Sequence, residues 1–251
     1  MKICILTHTF PRFQDDYAAP FMDGVANGMV EAGNEVFVQT PFTPGLETKR
    51  PNRKYKLLTY KYIFVDSWHT LGYSKTLVND MQLKPLVYLL APLMFIMALI
   101  SLYGLVKKEK IDIINAHWIL PNGFIAAVIS ILTGVPVVST LPGSDVYVAK
   151  KNLFFRSAAL FAGYFSAAIT SNSPQLLKDL KKLGVNNPNT QSIIYGVDPD
   201  KFKPNTSQVN HLKAQYNISA GKIVILSVGR LVAKKGFVYL IKAATDVIKK
   251  N

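Results

Sequence analysis

Short apolar runs, each long enough only for a strand, alternate along most of this chain with segments of helical periodicity. The runs are 2–7, 36–40, 111–115, 135–140, 167–171 and 191–195, and helical spacing occupies 21–32, 122–131, 153–165 and 174–183. A strand that is apolar on both sides must be covered on both sides. Strand–helix–strand order supplies that cover when the strands run parallel and helices lie on either face. The expected fold is therefore α/β, a Rossmann-like, mostly parallel sheet with helices on both faces. Punctuation agrees: Gly33, Gly134 and Gly184 each follow a helical pattern, Asn122 can cap one, and Pro174 opens another. In such sheets ligands bind beyond the carboxyl ends of the strands.

Residues 86–106 carry no charge and are followed by Lys107-Lys108. At helical rise they would extend about 31 Å, enough to cross a bilayer. Strand patterns stand on both sides of this stretch, however, and a spanning helix would divide one sheet across the membrane. The favoured expectation is a helix packed on the sheet, with one face dipping into the lipid interface; spanning is the alternative. Residues 47–84, basic and aromatic, receive no element.

The 29 basic and 15 acidic side chains give a net charge of +14, which suits polyanionic partners. Part of the excess lies in Lys49, Arg50, Arg53, Lys54, Lys56 and Lys61. No nucleic-acid-binding module is recognisable, so no nucleic acid is expected. A single cysteine, Cys4, excludes an intrachain disulfide, and the first apolar run is too short for a signal peptide. Both features point to the cytoplasm. No zinc cluster, dinucleotide fingerprint or phosphate-binding Walker loop occurs, and Ser139, Ser171 and Ser173 lack a nucleophile elbow. Asp198-Pro199-Asp200 reads as a turn rather than a metal-binding carboxylate pair. No metal and no cofactor are expected.

Three polar clusters fall at carboxyl ends of strands: His8 to Tyr17, His117-Trp118, and Gly143-Ser144-Asp145. Taken singly, His117 also reads as a structural histidine and Asp145 as a turn or cap residue. A further run, 223–228, stops at Gly229-Arg230, and Lys234-Lys235-Gly236 opens a helical pattern through Phe237, Leu240, Ile241 and Ala244. Lysines at a helix N-terminus oppose its dipole unless an anion is present. Arg230 would then fork onto one phosphate and Lys235 supply a point charge to another. A solvated basic loop is the alternative.

In order, these elements resemble family 4 glycosyltransferases, enzymes of two facing Rossmann-like domains (the GT-B architecture). The resemblance rests on Phe10-Pro11-Arg12 with Asp15 and Asp16, on 31–36, on 111–118, on Gly143-Ser144-Asp145, and on Gly196-Val197-Asp198 with Phe202 and Pro204. Val228-Gly229-Arg230-Leu231 with Lys235-Gly236 completes it. It implies transfer of a sugar from a nucleotide-diphosphate sugar to an acceptor hydroxyl, with retention and without metal. Arg230, Lys235 and Gly229 would hold the donor diphosphate. His117 would be catalytic, near the transferred sugar. Asp15, Asp16, Tyr17 and the Gly143-Ser144-Asp145 turn would shape the acceptor or donor-sugar pocket.

The implied organisation is an acceptor-side domain over 1–200, a linker over 201–221, and the first strand–helix unit of a donor-side domain over 222–251. Three features depart from the family pattern. Ala18-Ala19 replaces paired glycines, Pro142 replaces a histidine, and the family's glutamate pair would lie beyond Asn251. The chain alone is expected to be inactive. The implied setting is envelope polysaccharide or glycolipid synthesis, peripheral on the inner face of a membrane. Its partners would be a nucleotide-sugar donor, a sugar, lipid-linked or polysaccharide acceptor, and an anionic membrane surface. Two alternatives are a nucleotide-sugar epimerase of the same architecture and a non-catalytic truncated subunit of a membrane complex.

Overall fold

A computed structural model of the chain describes residues 1–51, 53–72, 86–200, 202–219, 221–229 and 231–250. It divides into two units, 1–196 and 197–251. In the first, seven strands form one parallel sheet: β1 (Lys2–Leu6), β2 (Glu35–Pro41), β3 (Lys56–Tyr60), β4 (Ile113–His117), β5 (Val137–Leu141), β6 (Ala168–Ser171) and β7 (Thr190–Ser192). Their order is β3-β2-β1-β4-β5-β6-β7, every neighbour parallel. The helices are α1 (Phe21–Glu31), α2 (Leu86–Glu109), α3 (Phe124–Thr133), α4 (Ser144–Ala149), α5 (Leu153–Tyr164) and α6 (Pro174–Lys182).

The period of two in each strand divides the apolar side chains between the faces. Ile3, Ile5, Val36 and Val38 meet Met22 and Ala26 of α1. Cys4, Leu6, Phe37, Ile114 and Ala116 point the other way, against Ala98 and Leu102 of α2 and Ile125 and Ile129 of α3. Each fully buried Ile or Leu contributes roughly 1.5–3 kcal/mol. Cys4 is one of these core residues, its thiol pushed up to about 12 by burial.

Several expectations take a different form. The 86–106 helix does pack on the sheet, and it runs on to Glu109. Lys56–Tyr60, left unassigned, is the edge strand β3; one flank is covered and its ends carry lysines, so no apolar run marks it. The basic stretch is largely neutralised. Lys54, Lys56 and Lys61 pair with Glu31, Glu35 and Asp66, and Arg50 donates to the Pro11 carbonyl at 2.9 Å. Asp198 and Asp200 do form a turn, Asp198 Oδ1 accepting from the Asp200 amide at 2.9 Å.

In the second unit, part of the expected linker is the helix α7 (Thr206–Gln215), capped by Asn205 Oδ1. The expected strand at 223–228 is not formed. A parallel strand takes its hydrogen bonds from neighbours, and none pairs with this run among the described residues. Ile223, Leu226 and Val228 are exposed. The lysines expected to open the last helix lie instead in a 3-10 turn, Ala233–Lys235. Gly236, at φ 70°, separates that turn from α8 (Phe237–Lys250). Left-handed backbone at that point ends one helical register before the next begins.

Two kinds of glycine test this packing. Gly24 and Gly28 in α1 have open space where a Cβ would go, whereas a Cβ on Gly163 in α5 would overlap Val185. Gly24→Ala and Gly28→Ala are each expected to raise stability by about 0.5–1 kcal/mol. Gly163→Ala should lower it by about 1–3 kcal/mol, net of a smaller helix gain. Urea unfolding at one pH measures all three.

Candidate functional site

The sheet order reverses between β1 and β4, so the chains leaving these strands diverge and open a crevice at the carboxyl edge. His8 lies just past β1 and His117 ends β4. Asn122 joins them. Its amide nitrogen donates to the His117 carbonyl at 2.6 Å and lies 3.0 Å from His8 Nδ1. An NH2 group only donates, so His8 Nδ1 accepts and its proton resides on Nε2. Asn122 therefore spans the crevice and does not cap α3 as its sequence position suggested; α3 begins without a side-chain cap.

Burial lowers His8 to a pKa of about 4 and His117 to about 3, so both imidazoles are neutral near pH 7. His117 Nδ1 lies 3.3 Å from the Tyr195 hydroxyl. Its Nε2 is buried with no hydrogen-bond partner among the described residues. Such an atom costs about 1–3 kcal/mol and calls for a reason. An aromatic wall stands beside it: Phe21 stacks on Tyr195 at 4.3 Å between ring centres, and Trp118 lies 4.6 Å from His8.

Trp118 holds a φ of 70°, an uncommon conformation for a bulky residue. Three bonds fix it. Its N–H donates to the Thr140 carbonyl at 2.8 Å, its carbonyl accepts from Gly123 at 3.0 Å, and the next amide, Ile119, donates to Asp145 Oδ2 at 2.7 Å. Asp145 is buried, and burial raises its pKa from 3.8 to about 6, against the pull of amides from Ile119, Gly143 and Val146. Near pH 7 it is a carboxylate making a charge-assisted bond. It acts on the backbone of the His117–Trp118 turn as a positioning residue. Gly143 holds φ 138°, a region that favours glycine, and Ser144 starts the short α4.

In the first loop, Asp16 is buried and turns inward, its carboxylate accepting from the amides of Arg12 at 2.8 Å and Ala18 at 3.2 Å. Asp15 and Ala19 hold φ 60° and 50°. Ala19 thus stands in the left-handed region where a glycine would be relaxed. Tyr17 is exposed. In the second unit, a Cβ placed on Gly229 would lie 3.7 Å from Lys235 Cδ and 3.4 Å from the Phe237 ring, so the glycine backbone and that lysine are together. Arg230 lies outside the described residues. Among the described residues no group of three or more metal-ligating side chains is gathered.

The sequence reading put His8 at the start of the first-loop cluster without giving it a role, and it did not place Asn122 or Tyr195 in the site. The available signal was positional, since His8 follows a buried strand by two residues and Tyr195 follows the last one.

A family profile described as Glycosyltransferase Family 4 matches residues 19–201. The chain is 30% identical over 159 residues to the UDP-Gal:alpha-D-GlcNAc-diphosphoundecaprenol alpha-1,3-galactosyltransferase of Escherichia coli, a match covering 61% of this chain and 41% of that one. Among solved structures, Anabaena Alr3699/HepE in complex with UDP superposes with a TM-score of 0.67 at 18% identity, over 98% of this chain and 58% of that one. Sucrose-phosphate synthase of Thermosynechococcus elongatus gives a TM-score of 0.71 at 14% identity, over 98% and 60%. The two structures share its fold. The chain spans less than two thirds of each of these three proteins.

The buried groups set a pH dependence. Unfolded histidine titrates near 6.5, so on acidification the unfolded chain binds protons before His8 and His117 do. Their stabilisation is complete above about pH 6.5 and is lost as pH falls toward their folded values. Asp145 opposes this, losing stability as pH rises from 3.8 to about 6, but the two histidines outweigh it. The urea midpoint is expected to fall from pH 7 to about pH 4.5, and less steeply in His117→Gln. Asp145→Ala, which orphans the Ile119 amide, should cost about 1–3 kcal/mol at pH 7.

Proposed function

The chain belongs to glycosyltransferase family 4, and on that premise we propose that it forms the acceptor side and the start of the donor side of an enzyme transferring a sugar from a nucleotide-diphosphate sugar to an acceptor hydroxyl. The observation that carries this reading is the β1–β4 crevice. It holds a neutral, buried His117 whose Nε2 has no partner among the described residues, beside an aromatic wall. A neutral imidazole can exchange a hydrogen bond with a sugar hydroxyl without attracting the donor's charge. The diphosphate falls to Arg230, Lys235 and the Gly229 backbone, whose cations would stabilise the charge growing on the leaving group.

Two of these similar proteins support a uridine-nucleotide donor and a lipid-linked acceptor. The E. coli relative is named for UDP-Gal and a diphosphoundecaprenol-linked acceptor, and the Anabaena structure holds UDP. We extend the reading to a UDP-sugar donor and a lipid-linked or polysaccharide acceptor, in the cytoplasm. Retention and independence from metal complete the reaction, as the family resemblance implies. Asp15, Asp16, Tyr17, Gly143 and Ser144 border the sugar pocket in this reading, and Asp145 holds its floor.

Donor binding tests the phosphate assignment. On a chain carrying a complete second domain, Arg230→Ala and Lys235→Ala should each weaken UDP-sugar binding by about tenfold or more in calorimetry. Unchanged affinity in both would remove that assignment. Product analysis without acceptor should give at most hydrolysis; an epimerised nucleotide sugar would replace the transferase reading with the epimerase one.

A further inference from the structure

Helix α2 carries two apolar stripes on different faces. The inner one, Leu90, Ala98, Leu102, Leu105 and Val106, is buried. The outer one, Leu89, Leu93, Ile96, Ile100 and Tyr103, is between 41% and 66% exposed. Alternating spacings of four and three residues align these five side chains on one face. Only 28% of the most apolar 18-residue stretch within 89–109 is buried, which separates α2 from an ordinary core helix.

Cations continue the outer stripe. Lys107 follows Tyr103 by one turn, its ammonium 5.7 Å from the ring centre, and Lys108 and Lys110 are also exposed. At the end of α3, Ile131 and Leu132 are exposed as well. Both helices lead within a few residues into the starts of adjacent parallel strands, β4 and β5, so their ends share one edge of the sheet.

Three occupants could cover such a face, and the physical terms separate them. A spanning helix is ruled out in this fold, because the inner stripe is committed to the sheet and α3. A second copy would gain too little. The stripe is about 21 Å long and a helix about 10 Å wide, a footprint of roughly 200 Å², whereas a stable dimer needs about 800 Å² per partner. A lipid surface has no such requirement, and it rewards apolar side chains flanked by lysines when the lipid is anionic.

We propose that the outer face of α2, with Lys107, Lys108 and Lys110, docks on an anionic lipid bilayer, the helix lying in the plane of the interface. Leucine and isoleucine enter the acyl boundary, Tyr103 sits at headgroup depth, and the lysines meet lipid phosphate. This goes beyond the transferase reading and does not depend on it, because binding is read without turnover.

Co-sedimentation of the full chain with vesicles tests it. Binding to phosphatidylcholine vesicles containing phosphatidylglycerol should exceed binding to phosphatidylcholine alone by about tenfold or more, and should weaken with added salt. Ile96→Ser/Ile100→Ser should abolish it, and Lys107→Gln/Lys108→Gln/Lys110→Gln should reduce it to the level of neutral vesicles. These side chains are exposed, so both variants should keep the parent's thermal unfolding. Wild-type protein left in the supernatant with both vesicle types would overturn the proposal, as would undiminished binding by a folded stripe variant. A dimer that forms without lipid and is dissolved by Ile96→Ser/Ile100→Ser would assign the face to a second copy instead.

Discussion

The position of β1 between β2 and β4 is the constraint from which the rest of the first unit follows. β1 hydrogen-bonds to a parallel neighbour on each side, and its side chains are buried on both faces. A strand in that position needs helices above and below, which α1, α2 and α3 supply. Because the chain proceeds outward from β1 in one direction and returns to start β4 on the other side, the connections part at the carboxyl edge. The crevice is a consequence of this order, and His8 and His117 stand at its two sides because His8 follows β1 and His117 ends β4.

Within the crevice, strain and burial are held by hydrogen bonds from elsewhere in the sheet. The turn at Trp118 adopts a backbone that its side chain disfavours, of a kind costing about 1–3 kcal/mol, and the Asp145 bond to the Ile119 amide helps to fix it. That arrangement directs His117 inward, where desolvation keeps it neutral. The proposed sugar transfer would benefit from such a group, since uncharged hydroxyls are recognised by hydrogen bonds in a dry, prearranged site. Placing α2 flat on a bilayer would also set this edge near the membrane. The helices run antiparallel to the strands, and Leu90 near the start of α2 packs on Tyr62 and Leu71, which follow β3.

Much of this was legible in the sequence where period and burial coincide. Lys2–Leu6, Glu35–Pro41 and Val137–Leu141 are apolar on both faces and could be little else in a chain that alternates with helices. Lys56–Tyr60 was not legible, because an edge strand needs only partial cover and its lysines read as solvated surface. The run at 223–228 looks like a buried strand by composition, yet strand structure requires neighbours, and none pairs with it among the described residues. At the site, His117 and Asp145 could be named as types in suitable loops. Their roles could not, because Asp145 acts on an amide 26 residues away and Asn122 reaches His8 across 114. Such contacts are made by the sheet order rather than by local pattern.

The central claim is that the β1–β4 crevice is a prebuilt, desolvated site with two neutral histidines. Nitrogen NMR of the imidazoles across a pH titration tests it directly. With resonances assigned by His8→Gln and His117→Gln, both side chains should keep neutral-imidazole shifts from about pH 7.5 to pH 5, below the ordinary histidine midpoint near 6.5. A midpoint near 6.5 for His117 would mean that its ring is solvated and the site open, contradicting the account.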